Sequence, residues 1–182
     1  RLHRGDVYMP ITPMVHVHAW GFPYAATLLG IKQIYPGRYI AANLLRLIAE
    51  EGATFTHCVP TILQMLLAAP EVEATDLSRL KMVIGGSALP RGLAAAAMQR
   101  GIDIYAGYGL SETCPVLSFA AVTPGEEEDV AARVRTGRPL PLVDLRIVDE
   151  EMAEQPRDGT STGEVSLLYT SPSPRDKTVS RM

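Results

Sequence analysis

Stretches with strand chemistry and stretches with helix chemistry take turns along this chain, and that alternation limits its fold more than any other feature. Residues 7–9 are apolar and stop at Pro10. Residues 20–29 are apolar with few breakers, and Gly30 is a helix stop. Residues 32–35 suit a strand closed by Pro36-Gly37. In 41–51, Leu44, Leu45, Leu47 and Ile48 recur on a helical period, and Gly52 ends the run. Residues 54–57 are β-prone, and Pro60 opens a helix to about residue 69. Residues 81–84 read as a buried strand, Pro90 opens an Ala-rich helix to 100, and 102–105 read as the next strand. Residues 142–148 alternate apolar and polar, as a half-buried strand does. Strands separated by helices pair in parallel through right-handed crossovers. The expectation is an α/β fold, a mostly parallel sheet flanked by helices. Residues 124–130 read as an acidic loop or helix start, and 150–163 as a surface turn.

Composition removes several classes of function. The 182 residues, 47% of them hydrophobic, supply one ordinary core. A formal charge of -3 gives no reason to expect nucleic acid or an anionic membrane. No apolar run reaches the ~20 residues of a membrane span. Cys58 and Cys114 are far apart and lack partners at zinc-ligand spacing, which fits a reducing, cytoplasmic setting. The opening residues carry neither an initiator Met nor a signal core, so an internal fragment is expected. From Ser166 the pattern changes. Leu167-Leu168-Tyr169-Thr170-Ser171-Pro172-Ser173-Pro174-Arg175-Asp176 resembles a translated sequencing adapter, and a Pro/Ser linker is the alternative. Residues 1–165 are therefore expected to be native and 166–182 a foreign tail.

Two glycine-rich segments follow neighbouring strand candidates. Gly85-Gly86-Ser87-Ala88 comes after 81–84, and Gly107-Tyr108-Gly109-Leu110-Ser111-Glu112-Thr113 comes after 102–105. In a parallel sheet both turns fall at the carboxyl ends of the strands, where open α/β folds bind ligands. Ser111 and Thr113 offer hydroxyls, Glu112 a hard carboxylate and Tyr108 a flat ring, so a purine, a phosphate and Mg²⁺ each find a partner. Neither segment is a phosphate loop or a dinucleotide fingerprint. Glycine caps alone would explain Gly85-Gly86, whereas the Tyr108 segment has little packing logic.

Tyr108-Gly109-Leu110-Ser111-Glu112-Thr113 resembles a signature motif of the acyl-adenylate-forming superfamily. Pro13-Met14-Val15-His16-Val17-His18-Ala19-Trp20-Gly21-Phe22-Pro23-Tyr24 is similar to a segment of medium- and long-chain fatty acyl-CoA synthetases. Val59-Pro60-Thr61, Gly85-Gly86-Ser87-Ala88-Leu89-Pro90, Thr136-Gly137-Arg138-Pro139 and Thr162-Gly163-Glu164-Val165 match further landmarks in the same order. The resemblance implies part of the large N-terminal domain of an AMP-forming acyl-CoA synthetase. It implies that Tyr108 stacks on adenine and that Gly86, Ser87, Ala88, Gly107 and Gly109 line the nucleotide site. Ser111 would bond the α-phosphate, Glu112 would hold Mg²⁺, His16 would border the acyl site, and Trp20 would gate the acyl tunnel. ATP, Mg²⁺, CoA and a fatty acid follow as cofactors and substrates, with a homodimer open to the full-length protein. The family's phosphate loop, its ribose-binding Asp and its catalytic Lys have no match here, so the fragment alone is expected to be inactive.

His16 and His18 alternate without a third ligand, which argues against a metal pair; core histidine and core Trp are the plain readings of His16 and Trp20. An aryl- or short-chain acyl-CoA synthetase is the nearest competing function. A non-catalytic nucleotide-binding module is the competitor from another class.

Overall fold

Period-two alternation along each strand decides which face of the sheet its residues join. In β1 (Val7–Pro10), Met9 faces one core and Tyr8 the other. In β3 (Phe55–Cys58), Cys58 joins the first core and Phe55 the second. The structure, a computed structural model, describes residues 2–168, with the side chains of 167 and 168 left aside. The chain falls into two compact units, Arg1–Arg138 and Pro139–Met182.

The first unit continues with α1 (Val17–Trp20), α2 (Phe22–Leu29), β2 (Lys32–Gln33), α3 (Ala41–Glu51), α4 (Pro60–Ala68), β4 (Lys81–Ile84) and α5 (Arg91–Gln99). Then come β5 (Asp103–Gly109), β6 (Val116–Phe119) and α6 (Val130–Val134), and β7 (Arg138–Pro139) falls on the boundary between the units. The sheet order is β2-β1-β3-β4-β5-β6-β7. Strands β1 to β5 pair in parallel, and β6 runs antiparallel to β5. The mostly parallel, helix-flanked sheet expected from the alternation is therefore what the chain forms.

Leu44, Leu45 and Ile48 of α3 pack with Leu63 and Leu66 of α4 and Ala94 and Ala97 of α5, against Met9, Met82, Ile84 and Ile104. The second core is smaller: Tyr8, Ala26, Ile31 and Phe55, with Phe22 against them. Helix ends sit where sequence chemistry places them. Gly30 and Gly52 cap α2 and α3 in the left-handed conformation, and Pro60 opens α4.

At the amino ends of the strands, the buried carboxylate of Asp6 accepts hydrogen bonds from His3 N–H at 2.8 Å, Thr54 Oγ1 at 2.8 Å and Lys81 Nζ at 2.7 Å. Burial pushes its pKa up, but these three partners outweigh burial and hold the carboxyl below its ordinary range. The starts of β1, β3 and β4 are thus tied together at the end opposite the glycine segments.

The strand expected over 102–105 extends through the glycine segment to Gly109, because β6 pairs with it: Gly107 faces Phe119, Tyr108 faces Ser118 and Gly109 faces Val116, with a register shift between Tyr108 and Gly109. The turn begins only after that, over Ser111–Thr113.

In the second unit, β8 (Asp144–Val148) and β9 (Glu164–Leu168) form an antiparallel pair, with Ser166 opposite Arg146. Of the tail expected from residue 166, the backbone of 166–168 continues β9, and 169–182 lie outside the described residues. No helix among the described residues is long and apolar enough to cross a membrane.

Candidate nucleotide and acyl site

The carboxyl ends of β1, β3, β4 and β5 open onto a cavity of about 760 Å³ within the first unit. Its walls come from the segment after β1 and from α1 (Thr12, Pro13, His16, Val17 and His18), from the β3–α4 junction (Val59, Thr61, Ile62) and from Tyr39. Gly85 and Gly86 at the end of β4 face Gly107, Tyr108 and Gly109 of β5, and Leu110, Ser111, Glu112, Pro115, Val116 and Phe119 complete the rim. The parallel register that sets Ile84 beside Ala106 brings the two glycine segments to one edge.

Each glycine segment has a local reason for its residue type. Gly86 has φ +81, a conformation L side chains rarely adopt. Gly109 is crowded instead: a Cβ there would stand 1.7 Å from the carbonyl oxygen of Pro115. Thr113 holds the same turn closed. Its hydroxyl accepts from Leu110 N–H at 2.9 Å and has the Pro115 carbonyl 2.8 Å away. This hydroxyl, a ligand candidate in the sequence, is engaged by its own backbone.

His16, Gly86, Gly107, Tyr108, Gly109, Ser111 and Glu112 come together on this cavity. Ser87 and Ala88 are exposed beyond its wall, and Trp20 is 53% exposed and also outside the lining. Glu112 is the only carboxylate among the described lining residues, which include no Lys or Arg. The described residues hold no group of three or more His, Cys, Asp or Glu side chains placed to bind a metal. A single hard carboxylate fits Mg²⁺ that arrives with nucleotide phosphates, since that ion is commonly held by one or two carboxylates plus phosphate oxygens.

The family model described as AMP-binding enzyme matches residues 1–171. The chain belongs to the AMP-binding enzyme family. It is 46% identical over 176 residues to a long-chain-fatty-acid–CoA ligase of Thermus thermophilus, covering 91% of this chain and 32% of that protein. It is 36% identical over 173 residues to a medium-chain-fatty-acid–CoA ligase of Ectopseudomonas oleovorans, covering 87% of this chain and 30% of that protein. The chain thus spans about a third of the length of these curated relatives. The fold is that of the N-terminal domain of FACL13 from Mycobacterium tuberculosis, with a TM-score of 0.73 at 22% identity over 84% of this chain and 38% of that one.

Sequence reasoning within this member of the family missed Tyr39 and Phe119 as wall residues. Phe119 belongs to β6, whose short apolar run gave the only signal; Tyr39 gave none. It also left His57 unremarked. His57 is fully buried on β3, stacked on Phe22 at 4.7 Å and 17°, with its Nε2 2.6 Å from the Tyr8 hydroxyl. Burial, with a smaller contribution from His18, lowers its pKa from 6.5 to about 3. The folded state therefore holds His57 neutral while the unfolded chain protonates below pH 6.5, so stability is full above 6.5 and is lost as pH falls toward 3. A single group with these values costs about 2 kcal/mol at pH 5 relative to pH 7.5. Thermal unfolding across pH 7.5 to 4.5 is expected to show this fall, and His57→Phe is expected to flatten it. An unchanged slope in the variant refutes the assignment to His57.

Proposed function

We propose that the cavity is the adenylation site of an AMP-forming fatty acyl-CoA synthetase. In the whole protein a fatty acid carboxylate attacks the α-phosphorus of ATP, pyrophosphate leaves, and the CoA thiol displaces AMP from the acyl-adenylate. The single observation that carries this reading is the meeting of the β4 and β5 glycine segments with Tyr108, Ser111 and Glu112 on one cavity edge. The named activities of the two fatty-acid–CoA ligase relatives support the substrate class.

Tyr108 offers its ring face to adenine, and the backbone of Gly86 lies on the other side of the purine, with Ser87 and Ala88, outside the cavity wall, continuing that turn. Gly107 and Gly109 let the strand end approach the nucleotide closely. Ser111 donates to an α-phosphate oxygen. Glu112 would hold Mg²⁺, and the ion would neutralise phosphate charge as it grows on the leaving group. His16 borders the reacting carboxylate, and Trp20, outside the cavity wall, gates the path of the acyl chain. The described lining residues include no Lys or Arg. Phosphate charge would therefore need Mg²⁺ and groups other than the described lining side chains.

ATP–pyrophosphate exchange by the whole protein, driven by medium- and long-chain fatty acids in turn, tests the reading. Exchange that depends on the fatty acid and on Mg²⁺ is expected. Exchange driven only by aryl or short-chain acids would move the substrate class, and nucleotide binding without exchange would favour a non-catalytic module.

A further inference from the structure

Behind the cavity wall lies a group of polar atoms that the nucleotide and acid contacts above do not use. Tyr8 on β1 and His57 on β3 are completely buried, joined through the Tyr8 hydroxyl and His57 Nε2 at 2.6 Å. His18 on α1 packs against the His57 ring at 4.9 Å and 42°. His57 Nδ1 and both ring nitrogens of His18 are buried without any hydrogen-bond partner. His18 also lines the cavity, and its Cε1 lies 3.3 Å from where a Cβ on Gly85 would stand. Three adjacent unsatisfied nitrogens are contrary to how buried polar atoms are normally arranged. Phe22 and Phe55 complete the same cluster of rings, so aromatic packing alone would be served as well by phenylalanine at either histidine.

The proton inventory is constrained. Burial raises the Tyr8 pKa, so its oxygen keeps its proton. With His57 Nε2 as the acceptor of that proton, the His57 proton sits on Nδ1, a donor with no acceptor. The adjacent ring, His18, is held neutral by burial and, to a smaller degree, by His16, and carries an acceptor with no donor.

We propose that Tyr8, His57 and His18 form a hydrogen-bond relay ending at the cavity: a turn of the His18 ring lets His57 Nδ1–H donate to one His18 nitrogen, which fixes the His18 proton on the other nitrogen and presents that N–H to an anionic oxygen of the bound molecule. No proton is transferred; each O–H or N–H donates to the next acceptor in line, a ring nitrogen twice and the ligand oxygen last. His18 then touches the ligand, and His57 and Tyr8 are positioning residues. The anionic oxygen belongs to a carboxylate or a phosphate. The inference rests on the proposal that this cavity takes both a fatty acid and a nucleotide.

Two-bond proton–nitrogen correlation on ¹⁵N-labelled protein reads the tautomers of His18 and His57 alone, with AMP and with octanoate. His57 is expected as the Nδ1–H tautomer in every state. The ligand that supplies the anion is expected to convert His18 from a mixture to one tautomer: AMP doing so identifies a phosphate, octanoate a carboxylate. In His57→Phe, His18 is expected to stay mixed and binding of that ligand to weaken about tenfold, with the melting temperature at pH 7.5 unchanged or raised. Tyr8→Phe is expected to weaken binding less, with the His57 tautomer becoming mixed. His57 found as Nε2–H, or unaltered ligand affinity in His57→Phe, overturns the relay. A loss of affinity that follows a loss of stability overturns it too, as that is a packing role. If neither ligand binds the wild type, the adenylation reading fails, and the relay is decided by the His57 tautomer alone: Nδ1–H supports it and Nε2–H refutes it.

Discussion

Gly109→Ala is expected to destabilise the first unit by about 3 kcal/mol or more, the upper range for a single added methyl. A Cβ on Gly109 meets the Pro115 carbonyl oxygen at 1.7 Å, the Pro115 carbonyl carbon at 2.7 Å and Val116 Cα at 2.9 Å. All three are backbone atoms, so no side chain can swing aside. Relief requires β5 and β6 to separate where their register already shifts between Tyr108 and Gly109. Such a separation also pulls at the Thr113 hydroxyl, which bridges Leu110 and Pro115. Thermal unfolding measures the loss, at several degrees per kcal/mol for a domain of this size. Amide exchange should be fastest at Val116 and its neighbours. Gly92→Ala is the matched control: it lies in α5 with nothing within 4 Å of the added carbon, and alanine favours a helix. Equal melting temperatures for Gly109→Ala and the wild type contradict the close approach of β6.

Glu112→Gln, made in the whole protein, is expected to lower the rate of adenylate formation about a hundredfold. It should leave the melting temperature nearly unchanged. Glutamine keeps the shape of the side chain and removes the charge that would hold Mg²⁺ beside the phosphates. Glu112 is exposed on the cavity rim, in the first turn of the short helical stretch Ser111–Thr113. The competing role is electrostatic capping of that stretch, which costs roughly 1 kcal/mol of stability when lost and leaves the rate alone. Measuring both quantities separates them. A variant that melts earlier and adenylates normally refutes the metal role.

The parallel core of the fold was readable because each element carries its own period. The α3 helix runs over the residues its leucines mark, and β4 covers its Met-Val-Ile run. β6 was not readable. Its Val-Leu-Ser-Phe run is short, lies after the Cys114-Pro115 step, and has a buried serine where alternation offers no guide. Missing β6 made a strand end look like a turn, and it hid Phe119. The candidate site was legible where residue types are unusual together, as at Tyr108, Ser111 and Glu112. The Tyr8–His57–His18 cluster was not, because its members sit on three separate elements and only the parallel pairing of β1 with β3 brings the first two together.

The Asp6 clamp and the cavity occupy opposite ends of the sheet. Three strand starts converge on a single carboxylate, while the opposite ends carry the segments that surround the cavity. Lengthening or exchanging the segment after β1 or the turn after β4 changes geometry beyond the last paired residue and leaves the clamp intact, whereas the β5 segment is paired with β6 as far as Gly109. Those two segments can thereby be rewritten by substitution or insertion while the strands keep their register. Random variants that keep the fold should accordingly collect in those two segments and spare Asp6, Thr54, Lys81 and Gly109.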